Sequence, residues 1–144
     1  MIIIRDSREQ LPYDFKRYEC ETVVAGLPTG DYGLVGYGLV AVERKSIDDL
    51  VGALTVGRQR FELELERSRA LDYFAVVIEA SMDDIRLHKY TSRASPHSML
   101  QSVLSLGVEF RAPFIFAGSR TGGEYTTFHV LRHWLRKNAP PELK

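Results

Sequence analysis

The segment of residues 31–45 constrains the fold more than any other part of the chain, because its pattern is typical of a β-hairpin with a buried second arm. Gly36, Tyr37 and Gly38 separate two apolar arms, and such a glycine-rich turn is a strong hairpin signal. Residues 39–42 (Leu-Val-Ala-Val) are apolar without alternation, as expected for a strand that is covered on both faces. The hairpin is therefore predicted to lie inside a sheet rather than at its edge.

Further strands and helices alternate along the chain. Ser46 is placed to cap a helix whose first turn carries two acids, where the helix dipole favours them. Phe128, Leu131, Trp134 and Leu135 share the apolar face of a C-terminal amphipathic helix. This order predicts an α/β fold of three layers, α/β/α, around a central mixed sheet. Strands are predicted over residues 1–5, 73–79 and 114–117, and helices from Ser46, over 58–71, from Ser95 to about Leu106, and over 121–137.

The composition limits the class of protein. With 144 residues, of which 44% are hydrophobic, the chain is expected to form a single domain over residues 1–144. Its longest opening apolar run is too short for a membrane segment, and its one cysteine, Cys20, suits a reducing compartment. A cytoplasmic protein is expected, associated with the nucleoid in a prokaryote or phage and nuclear in a eukaryote. No phosphate-loop motif is present, so no nucleotide cofactor is expected.

The charge is divided unevenly although it sums to zero. Residues 1–85 carry 10 Lys and Arg against 16 Asp and Glu, whereas residues 86–144 carry 9 against 3. A polyanion would approach the C-terminal segment more easily, and the acidic N-terminal segment would need a cation in order to approach phosphate.

The predicted hairpin brings two acids together. With residues 36–38 as the loop, Gly33 pairs with Ala41 and Asp31 lies opposite Glu43. Lys45 joins both acids on one face by the two-residue period of a strand, and Arg44 points to the other face. A two-residue turn would break this register.

Two opposed carboxylates repel each other by roughly 3 kcal/mol at about 5 Å and an effective dielectric constant near 20. A divalent cation, Mg²⁺ or Mn²⁺, would offset this repulsion, because carboxylates, waters and phosphate oxygens are its usual ligands. Asp31, Glu43 and Lys45 thus form an arrangement suited to phosphodiester hydrolysis. The alternative is that both acids lie at exposed strand ends and that Lys45 only neutralises them as a solvated salt bridge.

The residues around this trio carry a family resemblance. Residues 30–32 (Gly-Asp-Tyr) and 42–50 (Val-Glu-Arg-Lys-Ser-Ile-Asp-Asp-Leu) resemble the signature G-D-x(n)-E-R-K-x-x-x-D of the XPF-type structure-specific endonucleases. Residues 4–9 (Ile-Arg-Asp-Ser-Arg-Glu) are similar to the V-D-x-R-E motif that opens that family. The motifs span about residues 1–80, and the resemblance implies a restriction-endonuclease-like fold.

The resemblance also implies roles for individual residues. Asp31, Glu43 and Asp6 would hold the metal, and Lys45 would be the catalytic lysine, with Arg44 also in the catalytic set. Arg44 and Asp49 could equally be structural, pairing across the start of the helix, and Arg58 could contact DNA or be an ordinary surface arginine. The supporting motif residues would be Arg8, Glu9 and Asp49.

The resemblance implies a Mg²⁺- or Mn²⁺-dependent DNA endonuclease that leaves 5′-phosphate and 3′-hydroxyl ends, at branched or flap DNA in repair or recombination. The alternative is a catalytically idle domain that binds DNA or scaffolds a dimer partner. We expect no helix-hairpin-helix module and no membrane contact. A homodimer, or a pair with a related subunit, is expected, and the helix that carries Trp134 is one candidate interface.

Overall fold

The computed structural model describes residues 1–140, which form a six-stranded mixed sheet with helices on both faces. The strands are Ile2–Asp6 (β1), Glu21–Ala25 (β2), Tyr32–Leu34 (β3), Tyr37–Lys45 (β4), Tyr73–Ile78 (β5) and Phe114–Phe116 (β6). The helices are Ile47–Leu54 (α1), Arg58–Ser68 (α2), Met82–Arg86 (α3), Pro96–Phe110 (α4) and Arg120–Asn138 (α5). The last four residues of the predicted domain, 141–144, lie outside the described residues.

The sheet has the order β2-β1-β3-β4-β5-β6. Strand β3 runs antiparallel to both of its neighbours, and the remaining pairs are parallel. Strand β4 is therefore central, as its apolar sequence predicted. Its residues from Val40 to Val42 are buried, although Leu39, nearer the turn, is 48% exposed.

Two apolar clusters cover the two faces of the sheet. Helices α1, α2 and α4 pack over Ala41 and Val76 on one face, and α5 packs over Val42 and Val77 on the other. The Ser46 hydroxyl accepts a hydrogen bond from the backbone N–H of Asp49 and caps α1 as predicted. The predicted three-layer α/β/α arrangement around a mixed sheet is confirmed.

The predicted turn of the hairpin is wrong. The structure pairs Leu34 with Tyr37, so Val35 and Gly36 form a two-residue turn, and the register shifts between Gly33 and Leu34. Tyr37 is drawn into the strand because its ring packs edge-on against Trp134, with 5.9 Å between the ring centroids. The shift restores the predicted pairing of Gly33 with Ala41.

Two elements were missed from the sequence. Strand β2 is exposed at all five positions and lies at the edge of the sheet, so it has no apolar alternation to reveal it. Helix α3 has five residues, yet its capping box between Ser81 and Asp84 was visible as a sequence pattern. Helix α2 ends at Ser68, earlier than predicted, and α4 continues to Phe110.

Helix α5 follows its predicted amphipathic pattern. Phe128 and Leu131 are buried in the second apolar cluster, and Trp134 and Leu135 pack against it partly buried. Within residues 1–140, no helix combines the length and the apolar character needed to cross a membrane.

Candidate active site

Gly30 allows Asp31 to approach β4 closely. Its φ of +86° lies in the region that favours glycine, and a Cβ there would stand 2.9 Å from the Cβ of Ala41. The backbone N–H of Asp31 donates to the carbonyl of Val42 at 2.8 Å. One Asp31 carboxylate oxygen accepts the backbone N–H of Arg44 at 2.7 Å. These two bonds flank Glu43 and hold Asp31 beside it.

Asp31 is half-buried and Glu43 is buried, and their carboxyl groups lie within hydrogen-bonding reach of each other. Burial, followed by the charge of Glu43, raises the pKa of Asp31 to about 8. Glu43 is 7% exposed. Burial, followed by the charge of Glu64, raises its pKa as well. The two acids are therefore costly to ionise together without a cation.

Lys45 completes the trio. Its Nζ lies 3.0 Å from Oε2 of Glu43, and it also stands 5.1 Å from the centre of the Phe61 ring. Burial is the largest influence and acts to lower the pKa of Lys45, but the charge and hydrogen bond of Glu43, together with the charges of Glu64 and Asp31, raise it overall. Because the two side chains are only 16% and 9% exposed, the alternative of a solvated salt bridge at exposed strand ends is wrong.

A cleft lies between α1 and α2, next to the end of β4. Its lining, which we call the α1–α2 cleft, includes Lys45, Asp49, Val56, Arg60, Phe61 and Glu64. Asp49 is exposed there. Its backbone N–H donates the hydrogen bond to Ser46 that caps α1, and its side chain takes no part in that bond. Lys45 can be reached from solvent through this cleft.

Glu64 is a site residue that sequence reasoning missed. It lies on α2, and its carboxyl group is within hydrogen-bonding reach of Glu43. Its Oε1 is buried and has no hydrogen-bond partner among residues 1–140. No sequence signal distinguished it, because Glu62, Glu64 and Glu66 alternate with apolar and basic residues along a helix that resembles a solvated face.

Arg44 lies on the opposite face of the sheet from Lys45. Its guanidinium donates to both carboxylate oxygens of Glu79, at 2.8 and 3.1 Å, and lies 3.5 Å from Glu9. Tyr13 donates its hydroxyl hydrogen to Glu79 in turn. The pairing of Arg44 with Asp49, which the sequence left open, is wrong. Glu79 was missed, although an acid directly after a buried parallel strand was a usable signal.

Asp6 is buried, but its carboxylate is already engaged. It accepts bonds from the Arg8 side chain at 2.9 Å and from the backbone N–H of Leu27 at 2.8 Å. Burial would raise the pKa of Asp6, yet these bonds lower it below the ordinary value. The backbone N–H of Asp6 donates to the carbonyl of Asp31 at 2.7 Å. Asp6 thus supports Asp31 through the backbone, and its role as a metal ligand stays a prediction.

The remaining motif residues divide between the two sides of the site. Arg8 is 73% exposed, and the charges of Asp31 and Glu43 act on it, which places it near the acids. Glu9 lies with Arg44 on the α5 side. Arg58 binds Glu62 at 2.9 Å and Ser102 at 2.7 Å, and so ties α2 to α4 rather than lining the α1–α2 cleft. Its predicted contact with DNA remains a prediction.

The donor chemistry of the site fits a hard divalent cation. Asp31 and Glu43 supply carboxylate oxygens, and the orphaned oxygen of Glu64 is nearby. Among residues 1–140, no three His, Cys, Asp or Glu side chains converge closely enough to hold a metal by themselves. The structure does not bring Asp6 into such a group with Asp31 and Glu43. Mg²⁺ is usually bound by one or two carboxylates, with waters and substrate oxygens as its remaining ligands, and this donor set fits that coordination.

The fold is similar to that of solved XPF structures. A solved structure titled "XPF from Aeropyrum pernix" is similar with a TM-score of 0.74 and 17% identity, over 93% of this chain and 61% of that one. A second, "XPF from Aeropyrum pernix, complex with DNA", is similar with a TM-score of 0.70 and 17% identity, over 96% and 67%. The chain thus spans about 61% of the length of the first of these.

The family model named "ERCC4 domain" matches residues 5–127. The chain therefore belongs to the ERCC4 domain family, and the XPF-type resemblance of its motifs is confirmed. A search of curated proteins finds no match.

Proposed function

We propose that this chain is a divalent-metal-dependent endonuclease that hydrolyses DNA phosphodiester bonds. Membership of the ERCC4 family, which comprises nucleases of the XPF type, supports a DNA endonuclease. The observation that carries the proposal is the pair of half-buried Asp31 and buried Glu43 beside Lys45, which itself lines the α1–α2 cleft. A pair of closely placed acids, largely withdrawn from water, destabilises the fold when both are ionised, so its presence beside a lysine of the cleft argues for a function.

Asp31 and Glu43 would hold Mg²⁺ or Mn²⁺. The ion, when bound, supplies charge for the phosphate oxygens and lowers the pKa of a water molecule. The two backbone bonds of Asp31 to Val42 and Arg44 keep its carboxylate beside Glu43 before any substrate arrives. Such prior fixation favours catalysis, because the groups need not reorganise during the reaction.

Lys45 would act directly on the reacting phosphate. Its ammonium is held by Glu43 at 3.0 Å and rests on the Phe61 ring, so its position is defined on two sides. From there it orients the attacking water or balances negative charge that develops on the phosphate. Its raised pKa keeps it protonated at neutral pH, which suits donation of hydrogen bonds rather than abstraction of a proton.

DNA is the proposed substrate, and branched or flap DNA in repair or recombination is the proposed setting. One similar structure is titled as a complex with DNA. Pairing with a second copy or a related subunit is also proposed. The α5 surface around Trp134 and Val130 has a partly apolar groove next to Tyr73, and the molar mass in solution tests this pairing.

A nicking assay on plasmid and on flap or fork DNA tests the function. Wild type with Mn²⁺ or Mg²⁺ should cleave, EDTA should stop cleavage, and Asp31→Asn should be inactive. Asp83→Asn is a matched control, because Asp83 lies 72% exposed on α3. Cleavage that survives EDTA or Asp31→Asn would rule out the mechanism. Binding of DNA without any cleavage would favour the idle scaffold instead.

A further inference from the structure

We propose that Glu64 is a positioning residue of the metal site, and that its carboxylate sets how tightly the site holds a divalent cation. This inference rests on the proposed function. It assigns α2 a part in the site, whereas the acids of the sequence motifs lie on or next to strands and on α1.

The unpaired oxygen of Glu64 is the first observation. Its Oε1 is buried and finds no donor within residues 1–140, and a buried carboxylate oxygen without a partner is costly. The neighbouring acids on α2, in contrast, have ion-pair partners. Glu62 binds Arg58 at 2.9 Å, and Glu66 binds Arg69 at 3.0 Å. Arg60 lines the same cleft one helical turn earlier, yet no salt bridge joins it to Glu64 in the described part of the chain.

The local charge is the second observation. The carboxylate of Glu43 adjoins those of Asp31 and Glu64, and within residues 1–140 the ammonium of Lys45 is the one cation that forms a salt bridge with Glu43. Arg8 acts on two of the acids from a largely exposed position, where water screens its charge. With all three carboxylates ionised, this group would carry an excess of two negative charges, which one divalent cation would balance.

The geometry favours an action through Glu43 rather than direct ligation. Glu64 contacts Glu43, whereas no three acids of residues 1–140 converge on one point. A carboxylate that contacts a metal ligand, without binding the metal itself, fixes the orientation of that ligand and adds attraction for the ion. Loss of such a partner commonly weakens metal affinity by about 10- to 100-fold.

Mn²⁺ titration by calorimetry on the purified chain tests this role. Glu64→Gln should raise the Mn²⁺ dissociation constant by about 10-fold or more. The control Glu66→Gln, on the same helix and 62% exposed, should bind Mn²⁺ as wild type does. Glu64→Asp keeps the charge with a shorter reach and should fall between wild type and Glu64→Gln.

Thermal unfolding separates this role from a structural one. Without metal, Glu64→Gln should melt at or above the wild-type temperature, because it removes excess buried charge. Its Mn²⁺-induced rise in Tm should be smaller than that of wild type. Equal Mn²⁺ affinity in wild type and Glu64→Gln would overturn the role of Glu64 alone. If wild type itself bound no Mn²⁺, the proposed function would fail.

Discussion

Arg44 and Glu79 form a buried, doubly hydrogen-bonded ion pair on the α5 side of the sheet, away from Lys45. Arg44 lies on β4, and Glu79 directly follows the adjacent parallel strand β5. Because successive side chains of a strand point to opposite faces, Arg44 lies on the other face from its motif neighbours Glu43 and Lys45. The signature E-R-K therefore serves two faces. Its lysine lines the α1–α2 cleft with the acid beside it, and its arginine binds Glu79, which also contacts Arg120 at the start of α5.

Arg44→Met is expected to lower the free energy of unfolding by about 3 kcal/mol, because it removes the buried ion-pair partner of Glu79 and leaves that carboxylate with the Tyr13 hydroxyl and the Arg120 guanidinium, 3.7 Å away. Glu79→Gln should have an effect of the same order. Urea denaturation measures both, and the exposed pair of Arg86 and Asp83 provides a control, Arg86→Met, that should change stability by less than about 1 kcal/mol. A fully stable Arg44→Met chain without activity would show instead that Arg44 is catalytic.

Lys45→Ala is expected to lower kcat by at least about 100-fold, because within residues 1–140 no other cationic group forms a salt bridge with Glu43. DNA affinity should change little, since one lysine contributes a small share of the phosphate contacts. Single-turnover cleavage and fluorescence anisotropy measure the two quantities. Lys89→Ala, at a 61% exposed position, serves as the control. A large loss of affinity with residual turnover contradicts the assigned role.

The metal-free chain is expected to lose stability as the pH rises from about 4 to about 8. The folded chain raises the pKa of Asp31 from 3.8 to about 8, so it favours the protonated form. This contribution is complete below the unfolded pKa and is lost as the pH passes the folded pKa. Tm in EDTA across this range measures the effect. Asp31→Asn should reduce the slope, and Mn²⁺ should restore stability at pH 8. An Asp31→Asn slope equal to that of wild type would refute this assignment.

Arg60→Ala is expected to weaken DNA binding more than Arg58→Ala. Arg60 lines the α1–α2 cleft, whereas the Arg58 guanidinium is bound to Glu62 and Ser102 outside it. Loss of one phosphate contact should lower the slope of log affinity against log salt by about 1. Anisotropy titrations at several salt concentrations provide that slope. The inverse order, with Arg58→Ala the weaker binder, would restore the sequence-based assignment of Arg58.

Much of the fold was readable from local patterns. The apolar run of residues 39–42 predicted a central strand, and β4 is central; Ser46 predicted a helix cap, and it caps α1. Strand β2 escaped because main-chain bonds hold it at the edge of the sheet, and such bonds leave no trace in side-chain type. The turn was misplaced because the packing of Tyr37 on Trp134, nearly a hundred residues away along the chain, outweighs the local preference for a turn at residues 36–38.

The sequence alone indicated which side chains of the hairpin share a face, because strand periodicity and the spacing from Asp31 to Lys45 are local properties of the chain. Only the tertiary structure decided which charges meet across elements. It joined Arg44 to Glu79, engaged Arg58 with α4, and set Glu64 beside Glu43. These contacts depend on how the helices pack onto the sheet. A charged residue on a helix surface has the same local sequence pattern whether it faces water or a buried acid.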